Sequence, residues 1–309
     1  MSRVWLPLMA ALAIAACSTD ETDGGTGGGG GATGTSPETP TELKVNVNEI
    51  IFNGTTLQVN IDSLDSTPQL VNYERMPSLD TGGYIAFKIQ EDALDRLFIA
   101  LAKESDDGAV RAVTAADGGQ FNRYFAGGVY ERTGDFLRPT IGTGPGAGQV
   151  SYAGSYAAVT NVNVARGGAT DVAIATTETG VLVPGQPSRV SGDIFFNVNF
   201  LDESINGAIY NRVLIDQSLS LANIVLVRAD IAADGTFLGG AEYDDAANTV
   251  VGVYGGIFGG VSANSVAGLV NLNEFNDAWE NEREHGVFVL TQCGTNNTLP
   301  ICDAVAPFP

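Results

Sequence analysis

Val190-Ser191-Gly192-Asp193-Ile194-Phe195-Phe196-Asn197-Val198-Asn199-Phe200 is followed, after Leu201, by Asp202-Glu203-Ser204 and then by Ile205 to Leu214. Two apolar runs with interleaved polar residues, joined by a short acidic turn, spell two antiparallel strands. The same phrasing repeats on both sides. Strands are expected at Val150–Thr160, Val190–Phe200, Ile205–Leu214, Ala222–Ile231, Thr236–Tyr243, Val250–Phe258, Ser265–Leu272 and Gly286–Gln292. Their connections are rich in Asp, Asn and Gly, as in Ala233-Asp234-Gly235. Eight such strands make an up-and-down barrel or a sandwich, and a barrel removes the free edges through which sheets aggregate.

The expected core of this unit is Phe195, Val198, Phe200, Ile209, Val225, Val227, Phe237, Val253, Phe258, Val270 and Phe288. Thr170–Thr176 reads as an additional extended piece. Phe275 and Trp279 are one helical turn apart, which suits a short helix or an ordered loop. A transmembrane barrel is disfavoured, because the chain ends in Cys302 and Pro309 rather than in an aromatic-ended strand.

Upstream, residues 43–148 form a smaller region. Lys44–Phe52 and Gly54–Ile61 flank an Asn53-Gly54 hairpin signal, Tyr84–Ile89 is a further strand, and Phe121–Arg132 reads as extended. Leu94, Leu97, Phe98 and Leu101 recur at helical spacing, which predicts one helix over Asp92–Lys103. The Gly- and Pro-rich stretch Thr140–Gly148 marks the boundary with the eight-strand unit. The fold class is therefore mainly β: an eight-stranded antiparallel soluble β-barrel, residues 149–309, preceded by a strand-rich region with one helix.

The N-terminus speaks of location. Arg3 precedes an apolar run from Val4 to Ala16, ending in Ile14-Ala15-Ala16-Cys17. The run is too short to span a bilayer and has small residues just before the cysteine. It resembles a bacterial lipoprotein signal peptide, residues 1–16, with Cys17 as the lipidated first residue of the mature chain. Residues 18–42 hold no apolar periodicity, so 17–42 reads as a lipidated flexible tether reaching about 25–30 Å. Ser18 is not the aspartate associated with inner-membrane retention. The expected location is the outer membrane, with the surface favoured over the periplasmic face.

With 15 Lys and Arg against 36 Asp and Glu, the chain carries a formal charge of −21. That excludes nucleic acid as a partner and leaves acyl chains, rather than basic patches, as the contact with membrane. Of three cysteines, Cys17 is assigned to lipid. Cys293 and Cys302 are expected to form a disulfide in an oxidising compartment.

Catalytic chemistry finds little support. His285 is the sole histidine, expected at the surface or in a loop, so triads and multi-His metal sites lack members. Gly260-Val261-Ser262-Ala263-Asn264 lacks the closing Gly of a nucleophile elbow. Gly142, Gly144, Gly146 and Gly148 alternate too regularly for a phosphate loop. Asp106-Asp107 and Asp244-Asp245 are read as turn residues rather than calcium ligands. No catalytic residue, metal ligand or cofactor is expected.

Particular residues carry a family resemblance. Ser151–Tyr156, Ser191-Gly192-Asp193 leading into Val198–Phe200, Ile205–Ile209, Ala233–Phe237 and especially Gly255–Gly268 resemble successive barrel strands of transferrin-binding-protein-B-like lipoproteins. Gly286–Val289 fits the last strand. The family's usual proline and acidic residue are replaced by Gly260 and Ser265. The resemblance covers about residues 149–292 and implies an eight-stranded barrel on a lipidated tether at the outer surface. It also implies a non-enzymatic role binding a protein or small ligand, in some members in iron or haem acquisition. No ligand-binding residue carries over. The alternative function is a structural or assembly lipoprotein of the envelope.

Overall fold

A computed structural model describes residues 36–63, 69–144, 146–244, 249–276, 279–294 and 297–304. Cys17 and the expected signal and tether segments up to residue 35 lie outside that set.

The first half is a single antiparallel meander of β1 (Val47–Phe52), β2 (Leu57–Ile61), β3 (Val71–Arg75), β4 (Ile85–Ile89), β5 (Phe98–Glu104), β6 (Val110–Asp117) and β7 (Ala126–Arg132), hydrogen-bonded in that order. The sheet curls until its ends nearly meet. Asn46, just before β1, donates its amide to the Ala126 carbonyl at 3.0 Å, and its side chain accepts from the Ala126 amide at 3.3 Å. The expected hairpin at Asn53-Gly54 joins β1 to β2, with Gly54 at φ +90°, where a side chain would be strained.

The helix expected over Asp92–Lys103 is absent. Residues 92–95 form a turn, and Phe98–Glu104 is β5. The reason is that β5 is buried on both faces. Phe98, Ala100 and Ala102 point into the curled sheet with Phe52, Phe87 and Val113, while Ile99 and Leu101 point outward onto the barrel. A strand covered on both sides shows no alternation, so its apolar run also matches helical spacing. The described helices are instead two short ones, α1 (Thr41–Lys44) and α2 (Pro300–Ala304).

The second half is the barrel. Its strands are β8 (Gln149–Asn163), β9 (Pro187–Asn199), β10 (Ser204–Leu214), β12 (Ile224–Asp230), β13 (Thr236–Tyr243), β14 (Val250–Gly259), β15 (Ser265–Asn273) and β16 (Arg283–Gln292); the two-residue β11 (Leu219–Ser220) flanks β10. Neighbours pair antiparallel from β10 through β12 to β16, then β8 and β9, and the β9–β10 pairing closes the circle of eight. All eight expected strands are present. The 170–176 stretch is not a strand.

Aromatic side chains fill the barrel. Phe196, Tyr254, Phe237, Phe258 and Phe288 meet with ring centroids 5.1–6.1 Å apart. The interior is thus a packed core and not a channel. Seven of the eleven expected core residues, among them Val198, Phe200 and Phe237, lie in it. Phe195, Val225, Val227 and Val253 face the other way, and Phe196, Ile224, Leu226 and Tyr254 take the interior positions. Alternation has period two, so a parity error of one residue moves a side chain through the sheet. Doubled apolar residues such as Phe195-Phe196 conceal the parity, and a bulge between Ile205 and Gly207 shifts the pairing of β10 with β12.

The two halves share one apolar seam. Leu43, Tyr84, Ile99, Leu101 and Ala112 of the first pack on Ala157, Val159, Ile257, Leu269 and Val287 of the barrel's outer face. Gly128 lies against Leu269 so closely that a Cβ would collide with it and with the Val113 carbonyl. Residues 36–42, expected as tether, are docked here: Ser36 and Thr39 hydroxyls accept from the Arg132 and Tyr130 amides at 3.0 Å. Cys293 and Cys302 form the expected disulfide, with Cα atoms 5.4 Å apart, and the Cys293 amide donates to Ser151 on β8 at 2.8 Å.

Candidate functional site

A cleft of about 860 Å³ opens where the β6–β7 loop of the first sheet faces one end of the barrel. Its barrel wall comes from the end of β8, the segment before β9, and the connection into β16. That volume falls within the range of small-ligand sites.

The β6–β7 loop is built from beneath. Asp117, at the end of β6, is 1% exposed and forms an ion pair with Arg96, which is 6% exposed. The Asp117 carboxylate also accepts from the backbone amides of Gly119 and Phe125, each at 3.1 Å. Burial pushes the Asp117 pKa up, against the opposing pull of those amides and of Arg96. Arg96 then donates to the carbonyls of Gln120 at 3.0 Å and Arg123 at 3.2 Å, while its guanidinium lies 4.9 Å from the centre of the Phe125 ring. A buried charge pair leaves its remaining hydrogen-bonding capacity seeking partners, and here that capacity holds the loop.

Gln120 and Arg123 exchange backbone hydrogen bonds at 2.9 and 3.0 Å across a two-residue turn. Phe121 and Asn122, the central residues, have φ of +53° and +57°. Positive φ at both positions suits Asn-Gly, and a bulky aromatic residue there costs about 1 kcal/mol or more. Phe121 is nevertheless 67% exposed, so no buried packing compensates for its conformation. An expensive backbone state that holds an exposed aromatic ring at the mouth of a cleft is a signature of a binding element. Gln120 ties this loop to the opposite wall by donating to the Leu182 carbonyl at 3.4 Å, and Leu182 is itself 68% exposed.

The charge of the lining is inverted relative to the chain. Arg123, Arg166 and Arg283 face Glu280 as the one carboxylate among the described lining residues. In a chain with more than twice as many acids as bases, such a patch is a local positive field. Arg166 reaches Asp171 at 3.5 Å and Arg283 donates to Asn273 at 2.7 Å, whereas Arg123 forms no ion pair among the described residues. The side chains of Asn122, Asn163 and Asn281 line the cleft, exposed, and among the described residues their amides make no hydrogen bond.

His285 is not at the surface. It is fully buried on the outward face of β16, because the first sheet covers that face. Its Nε2 lies 2.7 Å from the Leu43 carbonyl and its Nδ1 2.8 Å from the Thr114 hydroxyl. A carbonyl only accepts, so Nε2 carries the proton and Nδ1 accepts from Thr114. Burial lowers the pKa to about 4. With both nitrogens engaged, His285 is no base for Ser262, which lies exposed at φ +56° in a single 3₁₀ turn. Asp107 caps its own turn, accepting from Ser105 at 2.6 Å and Ala109 at 3.0 Å, and meets the Ser265 hydroxyl of the barrel at 3.2 Å. Asp244 accepts from Asn223 at 3.2 Å, and Asp245 is outside the described residues. Among the described residues no group of three potential metal ligands converges.

The sequence predicts an extended run from Phe121, but β7 begins only at Ala126, and Phe121 and Arg123 belong to the turn before it. The available signal was Gly118-Gly119-Gln120-Phe121-Asn122-Arg123, a lone aromatic residue in turn-forming company.

No family model and no curated protein matches the chain. Among solved structures it is similar to a double mutant of the vaccine antigen transferrin-binding protein B from Haemophilus parasuis Hp5. That match has 12% identity, a TM-score of 0.36, and covers 77% of this chain and 51% of the other. The isotype 1 transferrin-binding protein B of serogroup B Neisseria meningitidis matches at 14% identity and a TM-score of 0.34, over 77% and 50% of the two chains. The chain thus spans about half the length of the structures it matches.

Proposed function

We propose that this chain is a non-enzymatic binding lipoprotein, held at the outer membrane by lipid on Cys17, which captures its ligand at the cleft between the β6–β7 loop and the barrel end. The observation that carries the reading is the strained, exposed Phe121 turn braced by the buried Arg96–Asp117 pair. Three further features support it: the lipobox-like Ile14–Cys17, a barrel whose interior is filled, and a sole histidine committed to structure. The sequence resemblance to transferrin-binding-protein-B-like lipoproteins adds a protein or an iron- or haem-type ligand to the classes worth testing.

Protease treatment of intact cells tests location and anchoring together. Release of the folded part from wild-type cells, and loss of membrane association on Cys17→Ser, are the expected results. Full protection of the chain in intact cells contradicts surface display.

A further inference from the structure

We infer that the cleft takes an anionic saccharide: sugar rings bearing carboxylate or phosphate groups. The inference rests on the chain being a binding protein and specifies what that binding site selects.

Guanidinium groups form charge-assisted, often bidentate, hydrogen bonds to carboxylates and phosphates. Arg123, Arg166 and Arg283 place three of the chain's 15 cationic residues on one cleft. Arg123 has its guanidinium free of ion pairs among the described residues, and its backbone is immobilised by Arg96. An approaching anion therefore meets a positioned donor whose ordering cost is already partly met by the fold.

The remaining donors and acceptors suit hydroxyl groups. An asparagine amide donates and accepts, which matches the dual character of a sugar hydroxyl. Asn122, Asn163 and Asn281 supply three such amides from both walls. Phe121 offers an exposed apolar ring, on which the C–H face of a pyranose can rest. A fully apolar ligand would leave the guanidinium and amide groups desolvated without partners.

The test titrates purified full chain with four probes: an oligogalacturonate, a phosphorylated oligosaccharide, a neutral malto-oligosaccharide and a polyglutamate peptide. One or both acidic saccharides should bind at least about tenfold more tightly than the neutral sugar and the peptide, and affinity should fall severalfold between about 50 and 200 mM salt. Arg123→Ala and Phe121→Ala should each weaken binding by about tenfold, while Arg123→Lys should restore part of it. Melting curves of the variants establish that they remain folded. Absence of binding by both acidic saccharides overturns the proposal, as does equal binding of polyglutamate or wild-type affinity in folded Phe121 and Arg123 variants. Failure here leaves surface display and anchoring standing, since protease release from cells measures those separately.

Discussion

The buried Arg96 guanidinium donates to the carbonyl oxygen of Arg123 at 3.2 Å, so a side chain fixed inside the first sheet sets the position of a residue at the cleft. Asp117 makes this possible by neutralising Arg96 where water cannot reach it. Asp117→Ala strands that charge and should cost about 3–5 kcal/mol. Urea denaturation gives the loss, and amide exchange at Gly119 and Phe125 should accelerate beyond the global effect. A loss below about 1 kcal/mol would mean the pair does not hold the loop.

Phe121 should be a stability liability. Replacing Phe121-Asn122 by Asn-Gly supplies the residues that positive φ favours, while little buried area is lost. The double variant should gain about 0.5–1 kcal/mol in urea denaturation. A destabilised double variant would show that Phe121 is held for packing rather than for presentation.

His285 predicts an acid-sensitive seam. Its pKa falls from the ordinary 6.5 to about 4 on folding, so the unfolded chain binds the proton first. The neutral imidazole's contribution is complete above pH 6.5 and is lost as pH falls from 6.5 towards 4. The full difference is of order 3 kcal/mol. His285→Gln keeps a side chain able to hydrogen-bond but cannot titrate. The wild type should therefore lose about that much more stability than the variant over this interval. Parallel pH profiles of the two proteins would contradict it.

The barrel holds a second buried pair, with a different expected response. Arg212 and Glu284 are fully buried and 2.7 Å apart, and Glu284 also accepts from the Tyr156 hydroxyl at 2.7 Å. Glu284→Ala should destabilise by about 3–5 kcal/mol, and combining it with Arg212→Met should recover much of that loss, because no unpaired charge remains. Purely additive losses in the double-mutant cycle would sink this account.

How much could be read from the chain depended on solvent. Most barrel strands keep a partly wet face and were legible from it; β15 and β16, covered on both faces, were legible instead from their Val-rich runs next to turn residues, as was the Cys293–Cys302 bridge from its compartment. β5 was not, because Ile99 faces the barrel and Ala100 faces the sheet interior, leaving no polar side to mark its period. His285 was misplaced for the same reason. Nothing in a single chain announces that one sheet lies across another's outer face. The cleft was the least legible element. Arg123, Arg166 and Arg283 are far apart in sequence, and only the chain's folding onto the barrel end brings them to one opening.

Hydrogen–deuterium exchange of the full chain, with and without a saturating acidic saccharide, tests the central claim most directly. Protection confined to residues 118–125, 161–166 and 280–283, the walls of the cleft, is the predicted result. Protection at the opposite end of the barrel, or along the exposed β9–β10 face, would place the binding site elsewhere and contradict the account.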